Sequence, residues 1–352
     1  MEILIIKMSA LGDVIQALPV IGALKQGFPG ARIDWLVQDG AAPIVRSHPG
    51  VDRVLVWRRE AWREAWRSPA RWPEAAVEIR RTAAELLERR YDLALDLQGL
   101  LKSGVWTGLC RARRKVGYHN AREGSHLFLT DRIHNRDPDL HAVERYLLLV
   151  EKIGGGRWTP EFGLTPSQEG RGRLQEVLSN RGWDASAPYA VLVPGARWKT
   201  KQWDAGSFSQ TAERIVRRLG LQVAISGGPQ DRPLGEMIIE GMRSPAINLA
   251  GSTDITALTA LMAGAAVVIS TDSGPMHLAA AVGTPVVALF GPTAPWRTGP
   301  YGRGHKVLRA AVSCSPCFLR KCHTRRCMRQ IEPEQVFDAV KEVLGERAEV
   351  AT

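Results

Sequence analysis

Short, almost uninterrupted apolar runs punctuate this 352-residue chain, and most hand over to a glycine-bearing turn. Glu2 to Met8 is the first, closed by Ser9-Ala10-Leu11-Gly12-Asp13. A run that is apolar on both faces reads as a strand buried inside a parallel sheet. A 3.6-residue spacing follows over 14–26, with Val14, Ile15, Leu18, Ile21 and Leu24 on one face, and predicts a helix. Ala31 to Val37, Val51 to Trp57 and Leu93 to Leu97 are the next strands. The last is entered from an Arg-, Glu- and Trp-rich helical stretch, Glu60 to Arg90. The alternation restarts after Gly154-Gly155-Gly156. Tyr189 to Val193 ends in Pro194-Gly195, Gln222 to Ser226 in Gly227-Gly228-Pro229, Ala265 to Ser270 in Thr271-Asp272-Ser273-Gly274, and Pro285 to Phe290 in Gly291-Pro292-Thr293. Such alternation predicts the α/β class: doubly wound parallel sheets, with ligands at the carboxyl ends of the strands. A chain of this length suits two units of roughly 175 residues. The predicted domains are 1–160 and 161–352, facing each other across a cleft, with the last helix offered as packing back on the first.

Composition narrows the class. A hydrophobic fraction of 45% with 24% charged residues excludes a disordered or collagen-like chain. No apolar run is long enough to span a bilayer, and the first residues lack the basic segment and cleavage site of a secretory leader, so the cytosol is the expected compartment. Lys and Arg exceed Asp and Glu by a formal +11, which points to an anionic partner: nucleic acid, an anionic membrane or a phosphorylated substrate. Cys314, Cys317, Cys322 and Cys327 cluster with His323 among them. One C-x2-C hook fits a structural zinc site, while the irregular remainder fits free thiols.

Six motifs carry candidate chemistry. Asp13 stands at the first strand-to-helix turn, where it could cap the helix or act as a general base. Asp272, Ser273, Gly274 and His277 could present a carboxylate, a hydroxyl, backbone N–H groups and an imidazole to a diphosphate and its sugar; the alternative is one more capped helix with a buried histidine. Arg197, Lys199 and Lys201 crowd one strand end and suit a phosphate, or a solvated loop. Asp231 follows Gly227-Gly228 as a ribose-binding acid would, though taken alone a plain turn is the better explanation. Arg58, Arg59, Arg63, Arg67, Arg71, Arg80 and Arg81 interleave with Trp57, Trp62, Trp66 and Trp72. That stretch fits phosphate, carboxylate or single-stranded nucleic acid, or an amphipathic helix with pairs such as Glu60–Arg63. The cysteine cluster is the sixth.

Taken together, the motifs resemble the ADP-heptose:lipopolysaccharide heptosyltransferases of glycosyltransferase family 9. The matching segments are K-M-S-A-L-G-D-V-I-Q-A-L-P from Lys7, Y-D-L-A-L-D-L-Q-G-L-L-K-S (Tyr91 to Ser103), S-T-D-S-G-P-M-H-L-A-A-A (Ser270 to Ala281) and G-T-P-V-V-A-L-F-G-P-T (Gly283 to Thr293). They run through the whole chain in family order. Val37 to Trp66, Ala121-Arg122-Glu123 and His141 to Arg145 look like the branch that adds the first heptose to a Kdo sugar of the inner core. Pro194-Gly195-Ala196 and the cysteine cluster look like other branches, and Asp231 stands where the first branch usually has Glu.

The resemblance implies a GT-B fold and an inverting transfer from ADP-heptose to Kdo-lipid A without a metal or other cofactor. It implies Asp13 as catalytic base, and Lys201, Asp231, Asp272, Ser273, Gly274 and His277 as donor-binding residues. Arg58, Arg59, Arg63 and Arg122 fall where the family holds its anionic acceptor. The expected site of action is the cytoplasmic face of the inner membrane, touched peripherally. The sole D-x-D, Asp137-Pro138-Asp139, lies outside the donor half and reads as a turn. A nucleic-acid-binding protein and a nucleotide-sugar epimerase are the competing classes. Asp231 and Asp272 at strand ends suit a sugar nucleotide rather than a polyanion, so no nucleic-acid partner is expected. The basic acceptor segment sets a transferase apart from an epimerase.

Overall fold

The structure, a computed structural model, describes residues 1–351 except 60–63, 66, 67, 135, 136, 138, 157 and 185. The chain divides into two compact units, Met1–Leu164 and Thr165–Thr352.

The first unit is built on six parallel strands: β1 (Glu2–Ile6), β2 (Arg32–Gln38), β3 (Arg53–Trp57), β4 (Arg90–Asp96), β5 (Arg111–Tyr118) and β6 (Asp131–Ile133). Their order is β3-β2-β1-β4-β5-β6. β1 lies at the centre, Ile5 beside Trp35 of β2 on one side and Leu95 of β4 on the other. Ile3 to Ile6 are fully buried, as a run apolar on both faces requires. Winding reverses between β1 and β4, so the loops after these two strands diverge to opposite faces and leave a crevice at their carboxyl ends.

One expectation needs correcting here. The helix expected over 14–26 is two helices, α1 (Leu11–Ala17) and α2 (Pro19–Gly27). Pro19 lacks the N–H that would continue the ladder, and Leu18 N–H turns back to Ile15 O in a tighter bond. Of the helical stretch expected from Glu60 to Arg90, α3 (Trp72–Leu87), with Pro73 in its first turn, is helical as expected, while 60–63, 66 and 67 lie outside the described residues. β5 and β6 were not anticipated. The first half of β5, Arg-Ala-Arg-Arg-Lys, is mostly exposed and shows no apolar run. α4 (Leu101–Leu109) and α5 (Ala142–Val150) complete the elements used below.

The second unit repeats the same winding. Its strands are β7 (Tyr189–Val193), β8 (Gln222–Ile225), β9 (Ile247–Asn248), β10 (Val267–Thr271), β11 (Val286–Leu289) and β12 (Lys306–Leu308), ordered β12-β11-β10-β7-β8-β9 and all parallel. The switch point falls between β7 and β10. Helices α6 (Gln168–Ser179), α7 (Ala205–Leu219), α8 (Arg232–Glu240), α9 (Ile255–Gly264), α10 (Gly274–Ala281) and α11 (Pro333–Ala351) flank the sheet. Trp203, Phe208, Ile215, Phe337 and Val340 form one core with the strands, each apolar side chain contributing about 1.5–3 kcal/mol on burial. The Trp203 indole donates to Ile331 O at 3.0 Å, which satisfies its one polar atom. The final helix, offered above as a return onto the first domain, packs within this second unit against α7, β10 and β11.

Candidate functional site

At the first switch point, two loops are laced together by side chains. Gln98, just past β4, accepts from the N–H groups of Met8 and Ser9 at 3.1 and 3.0 Å. The Lys7 ammonium is buried and donates to Leu97 O at 3.2 Å, with the Tyr146 ring 4.9 Å away. Lys102 on α4 donates to Ser9 Oγ at 2.7 Å. Beneath them Asp96, 1% exposed, accepts from Gln98 N, Gly99 N, Ser103 Oγ and Ser125 Oγ at 2.9–3.1 Å. Its burial pushes the carboxyl pKa up against these four donors. That network fixes the backbone from which Gln98 and Lys102 project.

Asp13 stands in the first turn of α1, half-buried, and its Oδ2 accepts from Ala10 N–H at 3.0 Å. The capping contact weighed from sequence is therefore present. The carboxylate also acts on two neighbouring cations. Burial pulls Lys7 down, but Tyr146 and Asp13 together carry it above its ordinary value. Lys102 is held below its ordinary value by burial and by the charges of Arg59 and Lys7, with Glu123 and Asp13 opposing. The first unit thus gathers Asp13 and several cations at the carboxyl ends of β1, β3 and β4.

The anticipated arginines are dispersed around this point. Arg59 is exposed and close enough to Lys102 to depress it. Arg122 is exposed, its N–H bonded to Gly99 O at 3.0 Å in the Gln98 loop. The exposed Arg58 binds Glu78 through its backbone N–H and its charge, so part of its role is structural. Arg63 lies outside the described residues, as do Glu60, Trp62, Trp66 and Arg67.

At the second switch point, Lys201 and Asp272 form an ion pair at 2.7 Å, with side chains 15% and 8% exposed. Thr293, past β11, donates to the same carboxylate oxygen at 2.6 Å. Thr271 donates to Gly195 O at 2.8 Å and so ties the loops after β7 and β10. Asp231, past β8, accepts from Gly228 N–H at 2.8 Å. Its carboxylate presses on Gly195, where a Cβ would fall 2.5 Å from Asp231 Oδ2. Only glycine permits that approach. Ser273 precedes α10, with its hydroxyl 3.2 Å from Ser270 Oγ. Gly274 opens the helix, whose first-turn N–H groups, Pro275 contributing none, have no partner within the helix. His277 is buried in that turn. The donor residues expected from sequence therefore converge at one switch point. Trp198 joins them, its ring 4.6 Å from Lys201 Nζ and 4.9 Å from the Arg320 guanidinium.

Sequence reasoning missed Lys7, Gln98, Lys102, Trp198 and Thr293. Gln98 and Lys102 sit inside the quoted Tyr91–Ser103 segment. Their position just past a strand carboxyl end was the available signal.

The cysteine cluster, for which a zinc site and free thiols were both open, shows no grouped ligand set among the described residues. All four thiols are free, with Cys314 and Cys322 exposed and Cys327 buried. Among the described residues, no three His, Cys, Asp or Glu side chains are grouped to hold a metal. The loop is fastened by other bonds: Arg325 to the carbonyls of Lys199 and Gln202 and to Asp204, and Thr200 Oγ1 to Leu319 O.

Two doubly wound units, each with polar loops at its switch point, define the GT-B class of glycosyltransferase. Superposition on the structure of E. coli heptosyltransferase WaaC with ADP gives a TM-score of 0.79 at 28% identity, covering 97% of this chain and all of that one. The model for glycosyltransferase family 9 (heptosyltransferase) matches residues 79–327, and the chain belongs to that family. It is 32% identical to lipopolysaccharide heptosyltransferase 1 of Pseudomonas aeruginosa over 92% of this chain and 87% of the relative. Against lipopolysaccharide heptosyltransferase 2 of Salmonella typhimurium the identity is 27%, over 98% and 99%. Among the described residues, no helix is long and apolar enough to cross a membrane.

Proposed function

We propose that this enzyme transfers heptose from ADP-heptose to the Kdo sugar of Kdo-lipid A on the cytoplasmic face of the inner membrane, inverting the anomeric centre. The observation that carries the reading is the second switch point. A lysine–carboxylate ion pair and a helix N-terminus meet there beside a glycine-lined acid, as a nucleoside diphosphate sugar requires. Asp231 takes the ribose hydroxyls. Lys201, the first turn of α10 and His277 take the diphosphate, with Asp272, Ser273 and Gly274 shaping the sugar end.

In the reaction, the acceptor hydroxyl loses its proton to Asp13 as its oxygen bonds the anomeric carbon. The bond from that carbon to the leaving phosphate oxygen breaks on the opposite face, and its electron pair departs with ADP. Lys201 and the helix N–H groups neutralise the departing charge, the role a metal plays in other transferases. This account is therefore metal-independent. Arg58, Arg59, Arg63, Arg122 and Lys102 hold the carboxylates and phosphates of the acceptor.

The greater identity to a type 1 than to a type 2 relative supports transfer to Kdo itself. The Pro194-Gly195-Ala196 loop favours the second reading, transfer to a later core position. Incubation with ADP-heptose and either Kdo-lipid A or the once-heptosylated acceptor decides between them. The proposal requires the mass of one heptose on the first acceptor. Addition to the second alone supports the later position, and addition to neither removes both.

A further inference from the structure

Helix α4 turns an apolar row to solvent. Leu101, Val105 and Leu109 recur every fourth residue and so share one face, and they are 48%, 49% and 41% exposed. The opposite face is inside, with Ser103, Trp106 and Thr107 buried. Beside the row lies the turn Ser125–Phe128, seated so closely that a Cβ on Gly108 would fall 2.5 Å from the Phe128 ring. That turn lifts Leu127 to 71% exposure, the highest of any large apolar residue described. Isolated exposed leucines are ordinary, but four such side chains on one helix and its seated turn make a patch.

Cations stand at both ends of the patch. Lys102 and Arg122 flank its N-terminal end. At the other end Lys115 Nζ reaches Gly108 O at 2.7 Å, and the exposed Arg111 follows the helix directly. The acid at hand, Glu123, is engaged with Leu101 N–H at 3.1 Å. An apolar row bracketed by Lys and Arg is the pattern that inserts at the headgroup level of a negatively charged leaflet. In the Arg/Trp stretch singled out from sequence, Trp57 is buried against Trp106, while Trp72 is 65% exposed and donates its indole N–H to Ala65 O at 3.0 Å.

We infer that Leu101, Val105, Leu109 and Leu127, with Lys102, Arg111, Lys115 and Arg122 around them, form a docking surface for an anionic phospholipid bilayer. The N-terminal end of α4 carries Lys102, which is bonded to Ser9 in the Asp13 loop. Docking there brings the Asp13 loop to the plane of the lipids. The use of that placement rests on the proposed lipid-linked acceptor; the binding itself does not.

The test is co-sedimentation of the full chain with phosphatidylglycerol/phosphatidylethanolamine vesicles and with phosphatidylcholine vesicles. The wild type is expected to bind the anionic vesicles, less at raised salt, and to leave the zwitterionic ones. Val105→Asp/Leu109→Asp/Leu127→Asp should lower the bound fraction about tenfold or more. Val105→Ser/Leu109→Ser/Leu127→Ser, milder at exposed positions, serves if the charged variant is unfolded by circular dichroism. Both should turn over a delipidated, soluble Kdo acceptor at the wild-type rate, so loss of the heptosyl reading registers separately from loss of docking. The inference is overturned if the wild type ignores anionic vesicles, or if folded variants bind them as well as it does. It is also overturned if sedimentation velocity shows a wild-type dimer that the variants dissociate without any change on vesicles.

Discussion

Breaking the Lys201–Asp272 pair should separate what this contact does for the fold from what it does for the donor. At an effective dielectric of about 20, a 2.7 Å contact is worth roughly 6 kcal/mol of gross attraction, most of it offset by desolvation of the two ions. Removing one partner of a buried pair costs about 3–5 kcal/mol, because the other charge stays behind. With Lys201 15% exposed and Thr293 still donating to Asp272, the lower end applies, about 3 kcal/mol for Lys201→Met. In a unit of this size that lowers the melting temperature by about 6–12 °C. Lys201→Met/Asp272→Asn removes both charges and should return to within about 1 kcal/mol of wild type. ADP affinity should behave otherwise. Losing a charge-assisted bond to phosphate costs about 1.5–3 kcal/mol, roughly 10- to 100-fold in Kd, and the second substitution does not restore it. Thermal melts and calorimetric titration with ADP on the wild type and the two variants read both quantities. Recovery of ADP affinity in the double variant would make Lys201 a structural lysine and remove it from the donor site.

Other outcomes follow from the same geometry. Gly195→Ala should weaken ADP binding about tenfold, the loss of one hydrogen bond, because its Cβ displaces Asp231; unchanged affinity would take Asp231 off the ribose. His48 is buried and accepts from Gly50 N–H at 3.0 Å; burial, then the charge of Lys25, lowers its pKa from 6.5 to about 4. The stability held by the neutral ring is complete above 6.5 and lost as pH falls towards 4, about 2–3 kcal/mol by pH 4.5. Denaturant titrations at both pH values should show a smaller loss in His48→Asn, and equal losses would contradict the assignment. EDTA should leave turnover intact, since Lys201 and the α10 N-terminus supply the countercharge; loss restored by Mg²⁺ would mean a metal carries it.

Legibility of the sequence tracked burial. β1, β7, β10 and β11 are apolar on both faces and announced themselves as runs. β5 did not, because its first half is solvated arginine, and β9 is only two residues long. Pro19 was visible, yet the spacing of Val14, Leu18 and Ile21 carries straight across it. At the site, charged residues at strand ends were legible one by one. Their convergence was not, since Asp231 meets Gly195 only once β7 and β8 are neighbours. Gln98 was the hardest to foresee. Its place past a strand carboxyl end was visible, but its stitching of two loops shows only once the switch point brings them together.

The central claim, that Asp13 takes the proton from the acceptor, is tested most directly by Asp13→Asn. The amide keeps an oxygen for the Ala10 N–H, so the contact that caps α1 survives while the base is lost. Initial rates with ADP-heptose and Kdo-lipid A should fall by about 10²–10⁴-fold. The ADP dissociation constant and the melting temperature should stay at their wild-type values. A variant that retains most of its turnover would leave Asp13 as a helix cap and assign the proton to another group.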